Sequence, residues 1–149
     1  MDFKTDLERG KQGELMVAQA FEKMGYAVKD VTDDPSFWKK DVDFIINDNG
    51  VKRLLEVKTD WNIWRTGNVV LELNKTYDPK ILGWFNFSQA THFAFVDIKN
   101  RLAYMVRANE LAARVNEKKD TLRKKQLNNY DCYLLNIQEN SDIFTAIAI

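Results

Sequence analysis

The sequence contains very little cysteine and histidine, with one of each among its 149 residues, Cys132 and His92. A lone cysteine cannot form an intrachain disulfide, which favours a reducing compartment. One cysteine and one histidine together are too few for a zinc site, and Cys132 has no nearby partner for covalent catalysis. These two shortages exclude disulfide-stabilised scaffolds, zinc sites and cysteine nucleophiles from the function classes considered.

Long apolar runs and an excess of one charge are also absent. No stretch approaches the length of a membrane span and the amino-terminal residues do not resemble a signal peptide, so we expect a cytoplasmic protein. The 22 lysines and arginines balance the 22 aspartates and glutamates. Residues 101–126 nevertheless contain eight basic and three acidic residues, which leaves the rest of the chain net acidic. A cluster of acidic residues in this remaining part of the chain would suit a metal-binding site better than a site that binds phosphate without a metal.

What the chain does contain is enough apolar material for one core, since 45% of its residues are hydrophobic. It has no internal repeat, low-complexity tract or linker, so we expect a single domain over residues 1–149. Apolar side chains at helical spacing predict a first helix over residues 6–24. Caps at Ser88 and Asn109 predict a short helix and a later basic helix. Strands are expected at residues 26–28, 41–46, 53–58, 69–73, 92–98, 102–106, 132–137 and 144–149, which together indicate an α/β sheet with helices packed on it.

The strongest pattern lies in residues 41–58. Two apolar runs are joined by Asn47-Asp48-Asn49-Gly50, and Asn-Gly is typical of a tight hairpin turn. Side chains alternate along a strand, so Glu56 and Lys58 share one face, and hairpin pairing brings Asp43 near them. Burying such groups is costly unless they pair or bind a metal. We therefore predict a catalytic cluster of Asp43, Glu56 and Lys58.

The predicted cluster has the composition of a magnesium site, because Mg²⁺ binds few carboxylates and keeps several waters. Asp43 and Glu56 would supply carboxylates, the backbone carbonyl of Val57 a further oxygen, and Glu14 on the first helix a direct or water-mediated contact. We expect Mn²⁺ to substitute. Lys58 would orient a water or offset charge developing on a phosphate, so phosphodiester hydrolysis is the predicted reaction class.

Several alternatives remain open from the residues alone. Asp41 is a second candidate ligand, since it would face the same side of an extended segment as Asp43. Asp43 is preferred because the apolar strand begins directly after it, which leaves Asp41 in a loop or a supporting position. Glu14 could be a rim residue favoured by the helix dipole. Glu72 could face the cleft or solvent, and the acid-lysine trio could be a surface ion pair on a solvated sheet.

Asp43, followed after twelve residues by Glu56-Val57-Lys58, resembles the PD-(D/E)XK nuclease superfamily, in which a strand aspartate precedes an acidic-x-lysine strand. Gly13-Glu14 and the helix after it resemble the leading helix of that superfamily. Thr66-Gly67-Asn68-Val69-Val70-Leu71-Glu72 is similar to a third strand of small phage and resolvase-like members, and Ser88-Gln89-Ala90 to their next helix. The resemblance covers roughly residues 6–97 and departs at Val42, where the superfamily pattern has proline.

This resemblance implies a restriction-endonuclease-like α-β-β-β-α-β core, with a mixed central sheet flanked by helices and a carboxy-terminal strand and helix extension. It implies a Mg²⁺-dependent DNA endonuclease and, by analogy, a homodimeric resolvase-like activity on branched DNA. DNA contacts are expected from Lys39, Lys40, Arg65 and Asn68, while the basic residues in the run 118–125 could contact phosphates or be solvated. The alternative is a catalytically inactive nuclease-fold module that binds nucleic acid or protein.

Overall fold

The computed structural model describes residues 3–149, which form two β-sheets with helices packed on them. The strands are β1 (Ala27–Asp30), β2 (Phe44–Asp48), β3 (Val51–Thr59), β4 (Asn68–Lys75), β5 (His92–Asp97), β6 (Leu102–Arg107), β7 (Arg123–Leu127), β8 (Tyr130–Asn136) and β9 (Thr145–Ala148). The helices are α1 (Phe3–Lys23), α2 (Pro35–Trp38), α3 (Ile63–Thr66), α4 (Trp84–Phe87) and α5 (Ala108–Lys118), with a 3-10 helix (Gln138–Ile143) before β9. Within the described part of the chain, no helix is both long enough and apolar enough to cross a membrane.

The central sheet has the strand order β1-β2-β3-β5-β6-β9. Only the β3–β5 pair is parallel and the other pairs are antiparallel, so the sheet is mixed. The predicted hairpin is β2–β3, with Phe44 opposite Leu55. Its turn residues Asn49 and Gly50 both have positive φ, 50° and 86°, as the tight Asn-Gly turn requires. The predicted mixed central sheet flanked by helices is confirmed.

Strand β4 is not part of this sheet. The resemblance implied that residues 66–72 contain the third strand of the core, and that placement is wrong. β4 instead belongs to a separate three-stranded antiparallel sheet of order β4-β8-β7. The reason is that Val69 and Leu71 are fully buried and pack against one face of the central sheet rather than along its edge. β1 supplies the remaining antiparallel strand of the core.

Two hydrophobic clusters lie on opposite faces of the central sheet. On one face, Val17 of α1 packs with residues that include Leu55 and Val57 of β3. On the other, Phe93 and Phe95 of β5 pack against the small sheet, α4 and α5. The helical spacing of apolar residues also predicts Leu7 and Met24 on the inner face of the first helix, but both side chains are about half exposed. β3 is thus covered on both sides over its central residues, which explains why the polar side chain of Glu56 is buried as well.

Two predicted helix caps are wrong. Ser88 ends the single turn of α4, and its hydroxyl donates to the carbonyl of Asp41 at 3.2 Å. The helical turn therefore precedes Ser88 rather than following it. Asn109 lies inside α5, which begins one residue earlier. The basic residues of the run 118–125 are divided between the end of α5 and the exposed edge strand β7.

Candidate catalytic and metal site

Glu56 and Lys58 lie on the carboxy-terminal half of β3, on the face opposite α1. Leu55 and Val57 alternate with them and enter the core beneath α1. Glu56 is only 7% exposed. Both charged side chains therefore lie between layers of the fold, where unpaired charge is costly.

The ammonium of Lys58 is held by three groups. Its Nζ lies 3.2 Å from Glu56 Oε1 and 3.3 Å from Asp41 Oδ1. The same atom lies 4.9 Å from the ring centroid of Trp84, which is buried at the start of α4. Burial alone would lower the pKa of Lys58, but the Glu56 and Asp41 carboxyl groups outweigh it and raise that pKa. Lys58 is therefore a positioned ammonium at neutral pH.

Asp43 lies beside Glu56, as the hairpin prediction required. Its backbone N–H donates to the carbonyl of Leu55 at 2.9 Å, which extends the β2–β3 pairing by one residue. Its Oδ2 accepts a hydrogen bond from the backbone N–H of Val57 at 2.9 Å. The structure thus brings together Asp43, Glu56 and Lys58, and it places the peptide unit of Val57 against them.

Asp41 reaches the cluster through an unusual backbone conformation. Its φ is 55°, in the left-handed region that non-glycine residues adopt infrequently. The chain is therefore not extended at this position, and the expectation that Asp41 and Asp43 face the same side of a straight segment does not apply. Asp41 pairs with Lys58, whereas Asp43 contacts Val57. The two aspartates have different partners within one cluster.

Burial dominates the electrostatics of the acids. It raises the pKa of Glu56 from 4.5 to about 9; Lys58 opposes the rise, and Asp43 and Asp41 add to it. Burial also raises the pKa of Asp43, against the hydrogen bonds from Val57 and from the Glu56 side chain. Without a cation, both carboxyl groups therefore hold a proton more tightly than free carboxyl groups do. A bound cation would favour the ionised forms of both Glu56 and Asp43.

Glu14 projects toward the same region from α1. Burial raises its pKa from 4.5 to about 7, and the nearby charges of Asp43 and Asp30 contribute. The preceding residue, Gly13, allows α1 to approach β3 closely. A Cβ at Gly13 would lie 2.0 Å from Oγ1 of Thr59, at the end of β3. This close approach is what positions Glu14 beside the cluster.

Two side chains that sequence reasoning missed or left open also lie at the cluster. Trp84 supports the Lys58 ammonium, and no local pattern marked it. Burial raises the pKa of Glu72 on β4, with Lys58 opposing the rise and Asp41 adding to it, so Glu72 lies within electrostatic reach of both. The only sequence signal that could have placed Glu72 at the cluster is that it is an acidic residue on a strand near the motif.

The donor chemistry fits an open, hydrated divalent-metal site. The buried carboxyl group of Glu56 neighbours the partly buried one of Asp43, and the buried Oδ2 of Asp41 accepts no hydrogen bond from the described residues. No group of three or more His, Cys, Asp or Glu side chains within residues 3–149 is arranged to hold a metal ion. Mg²⁺ needs only one or two protein carboxylates together with water. The predicted ligand set stays a prediction.

The four predicted nucleic-acid contacts are dispersed over the structure. Lys39 and Lys40 directly follow α2, and Arg65 is exposed on α3. Asn68 opens β4, where its Oδ1 accepts a hydrogen bond from Nδ2 of Asn136 on β8 at 3.2 Å. Their role in binding DNA stays a prediction.

The chain is similar to known proteins in its fold rather than in its sequence. No family model matches the chain, and no curated protein matches it. The structure is similar to that of a bacterial homing endonuclease, I-Ssp6803I, with a TM-score of 0.52 and 16% identity over 70% of this chain and 67% of that one. It also matches D212, a nuclease from a fusselovirus, with a TM-score of 0.44 and 11% identity over 94% of this chain and 90% of that one. The chain has a fold that occurs in nucleases.

The raised acid pKa values predict that the metal-free protein loses stability as pH rises. The unfolded chain releases the Glu56 proton near pH 4.5, while the folded chain keeps it to about pH 9, so the free energy of unfolding falls across that range. Glu14 adds to the fall up to about pH 7. We expect Glu56→Gln to raise the melting temperature at pH 8 in EDTA but to change it little at pH 4.5.

Thermal unfolding of the wild type, Glu56→Gln and the matched control Glu22→Gln between pH 4.5 and 9 measures this. Glu22 is exposed on α1, so its substitution should leave the pH dependence unchanged. Parallel curves for the wild type and Glu56→Gln would contradict the prediction.

Proposed function

We propose that this chain is a divalent-metal-dependent DNA endonuclease of the PD-(D/E)XK type. The observation that carries the proposal is the meeting of Asp43, Glu56 and Lys58 on two paired strands, with Glu14 approaching from α1. The similarity of the fold to that of a homing endonuclease supports it. Fold alone does not specify function, so the proposal rests on the chemistry of the cluster.

The residues have distinct roles in the proposed reaction. Asp43, Glu56 and the Val57 carbonyl would hold Mg²⁺ or Mn²⁺, with Glu14 contributing directly or through water. A divalent ion at such a site polarises a phosphate and lowers the pKa of bound water. The Lys58 ammonium, fixed by its carboxyl partners and by the Trp84 ring, would hold the attacking water by hydrogen bonding and offset charge on the phosphate.

Cleavage should depend on a divalent ion. We expect Mg²⁺ or Mn²⁺ to start hydrolysis of DNA, and EDTA to stop it, because two adjacent carboxylates alone cannot stabilise added negative charge. The measurement is a panel of linear, flapped and four-way DNA incubated with each ion, with Ca²⁺ as a matched hard cation. Preferential cutting of the four-way substrate, together with a dimer in solution, would support the resolvase-like form of the proposal.

A catalytically inactive binding module is the second candidate function. One observation favours it: within residues 3–149 no third acid joins the two carboxylates closely enough to complete a metal-holding group. Isothermal titration with Mn²⁺ separates the two candidates. Metal binding with DNA cleavage supports the endonuclease, whereas DNA binding with neither metal binding nor cleavage supports the module.

A further inference from the structure

A second polar concavity lies away from the acidic cluster, at the opposite end of β3. It has a volume of about 520 Å³, and it opens between the start of β3, the start of β5 and the junction of β6 with α5. Its polar lining includes Lys52, Arg53, His92, Arg107 and Asn109, and none of the acidic side chains that the structure describes lines it. A concavity of this size lies within the range of small-ligand sites.

Strand register brings the cationic groups together. His92 is directly opposite Arg107 in the antiparallel β5–β6 pair, so their side chains share a face of the sheet. His92 is also paired with Leu55 of β3, and Arg53 lies two residues before Leu55 on the same face. Three strands therefore each contribute one basic group or imidazole to a single surface.

The positive charge in this basic cavity is only partly neutralised. Arg53 pairs with Asp48 at 2.9 Å, but neither Lys52 nor Arg107 forms an ion pair with the described residues. Burial and the charges of Arg53 and Arg107 lower the pKa of His92, and Glu110 opposes them weakly. Burial is the largest of these causes, and the two guanidinium groups lie within electrostatic reach of the imidazole.

Hydrogen bonds also orient the imidazole. The Thr91 hydroxyl accepts from the N–H of Leu54 at 2.8 Å and donates to the Leu54 carbonyl at 3.2 Å. His92 Nδ1 lies 2.8 Å from the same oxygen, and this contact holds the ring in place whichever of the two atoms donates. Nε2 is then free to donate to an anion when the imidazole is protonated.

We propose that the basic cavity is a binding site for a phosphate group, carried by a nucleotide or by a nucleic-acid backbone. Two guanidinium forks, an ammonium and an imidazole are the groups that recognise phosphate oxygens. The cavity lies about 17 Å along β3 from Lys58, at about 3.3 Å per residue, so it is separate from the site of cleavage. Only its nucleic-acid source rests on the proposed function.

His92 is the only histidine of the chain, so a tag-free sample gives a single imidazole signal by nuclear magnetic resonance. The protein is titrated in EDTA with inorganic phosphate, with AMP and with a short duplex DNA, and with sodium chloride at matched ionic strength. We expect the pKa of His92 to rise by about one unit on phosphate binding, because a nearby anion favours the imidazolium. The strongest of the three probes identifies the source of the phosphate.

Arg107→Gln should weaken the binding at least about tenfold, since it removes a charge-assisted hydrogen bond. Lys119→Gln is the matched control, because Lys119 is exposed beyond the far end of α5. An equal response to sodium chloride, no response to any probe, or unchanged binding in Arg107→Gln would overturn the proposal. EDTA removes divalent ions, so this measurement does not depend on cleavage. If the pKa of His92 rises but the protein shows no nuclease activity in separate assays with Mg²⁺, phosphate binding in the basic cavity is supported and only the proposed endonuclease function is contradicted.

Discussion

Lys58→Met should reduce DNA cleavage by about 10²- to 10³-fold or more, the usual loss when one preorganised transition-state donor is removed. Methionine retains most of the aliphatic stem that leads to Trp84, so the packing of this side chain is largely conserved. The substitution removes the ammonium that lies 3.2 Å from Glu56 and 3.3 Å from Asp41. Single-turnover cleavage at saturating Mg²⁺ measures the effect on the chemical step.

Two further measurements distinguish a catalytic role of Lys58 from a structural one. Mn²⁺ binding by Lys58→Met should be retained, because removing a cation beside two acids does not weaken their attraction for a metal. Lys119→Met, which removes an exposed ammonium far from the cluster, should cut at the wild-type rate. Cleavage by Lys58→Met at the wild-type rate would exclude Lys58 from the mechanism.

Gly83→Ala should destabilise the fold by about 3 kcal/mol. A Cβ at Gly83 would lie 2.4 Å from the backbone oxygen of Glu72 and 2.5 Å from its carbonyl carbon. The φ and ψ of Gly83, −80° and 168°, suit alanine, so the cost comes from this contact alone. Relief requires α4 to move away from β4, which also withdraws Trp84 from Lys58. Chemical denaturation measures the loss of stability.

Gly10→Ala is the internal control for this prediction. Gly10 lies within α1 and a Cβ there would meet no atom within 4 Å. Alanine is favoured over glycine inside a helix by about 1 kcal/mol, so this variant should be more stable than the wild type. The expected changes in the free energy of unfolding have opposite signs for Gly83→Ala and Gly10→Ala. The comparison therefore distinguishes the effect of close packing from that of backbone preference. Equal stability of Gly83→Ala and the wild type would refute the contact argument.

The parts of the site that sequence reasoning predicted are those with a local cause. Strand alternation alone places Glu56 and Lys58 on one face, and the Asn49-Gly50 turn sets the register that brings Asp43 beside them. The first helix and the mixed sheet follow in the same way from apolar spacing and from turn residues. Each of these features depends on residues close together in the chain.

The remaining features depend on contacts between distant segments. The support of Lys58 by Trp84 requires the chain to leave β3, build β4 and return through α4. The turn of Asp41 toward Lys58 requires a left-handed backbone, which aspartate tolerates but which strand periodicity does not predict. Strand periodicity likewise does not predict that β4 pairs with β8 rather than joining the central sheet. It indicates which face of a strand a side chain lies on, but not which strand is adjacent.

Assembly of the cluster depends on the close approach of α1 to β3 at Gly13. Glu14, Asp41, Lys58 and Trp84 come from four separate stretches of chain, and Glu14 is brought in only when α1 docks. An isolated β2–β3 hairpin would contain Glu56 and Lys58 but would lack Glu14 and Trp84. Since contacts between distant segments form slowly, the complete cluster, including Glu14, exists only in the fully folded chain.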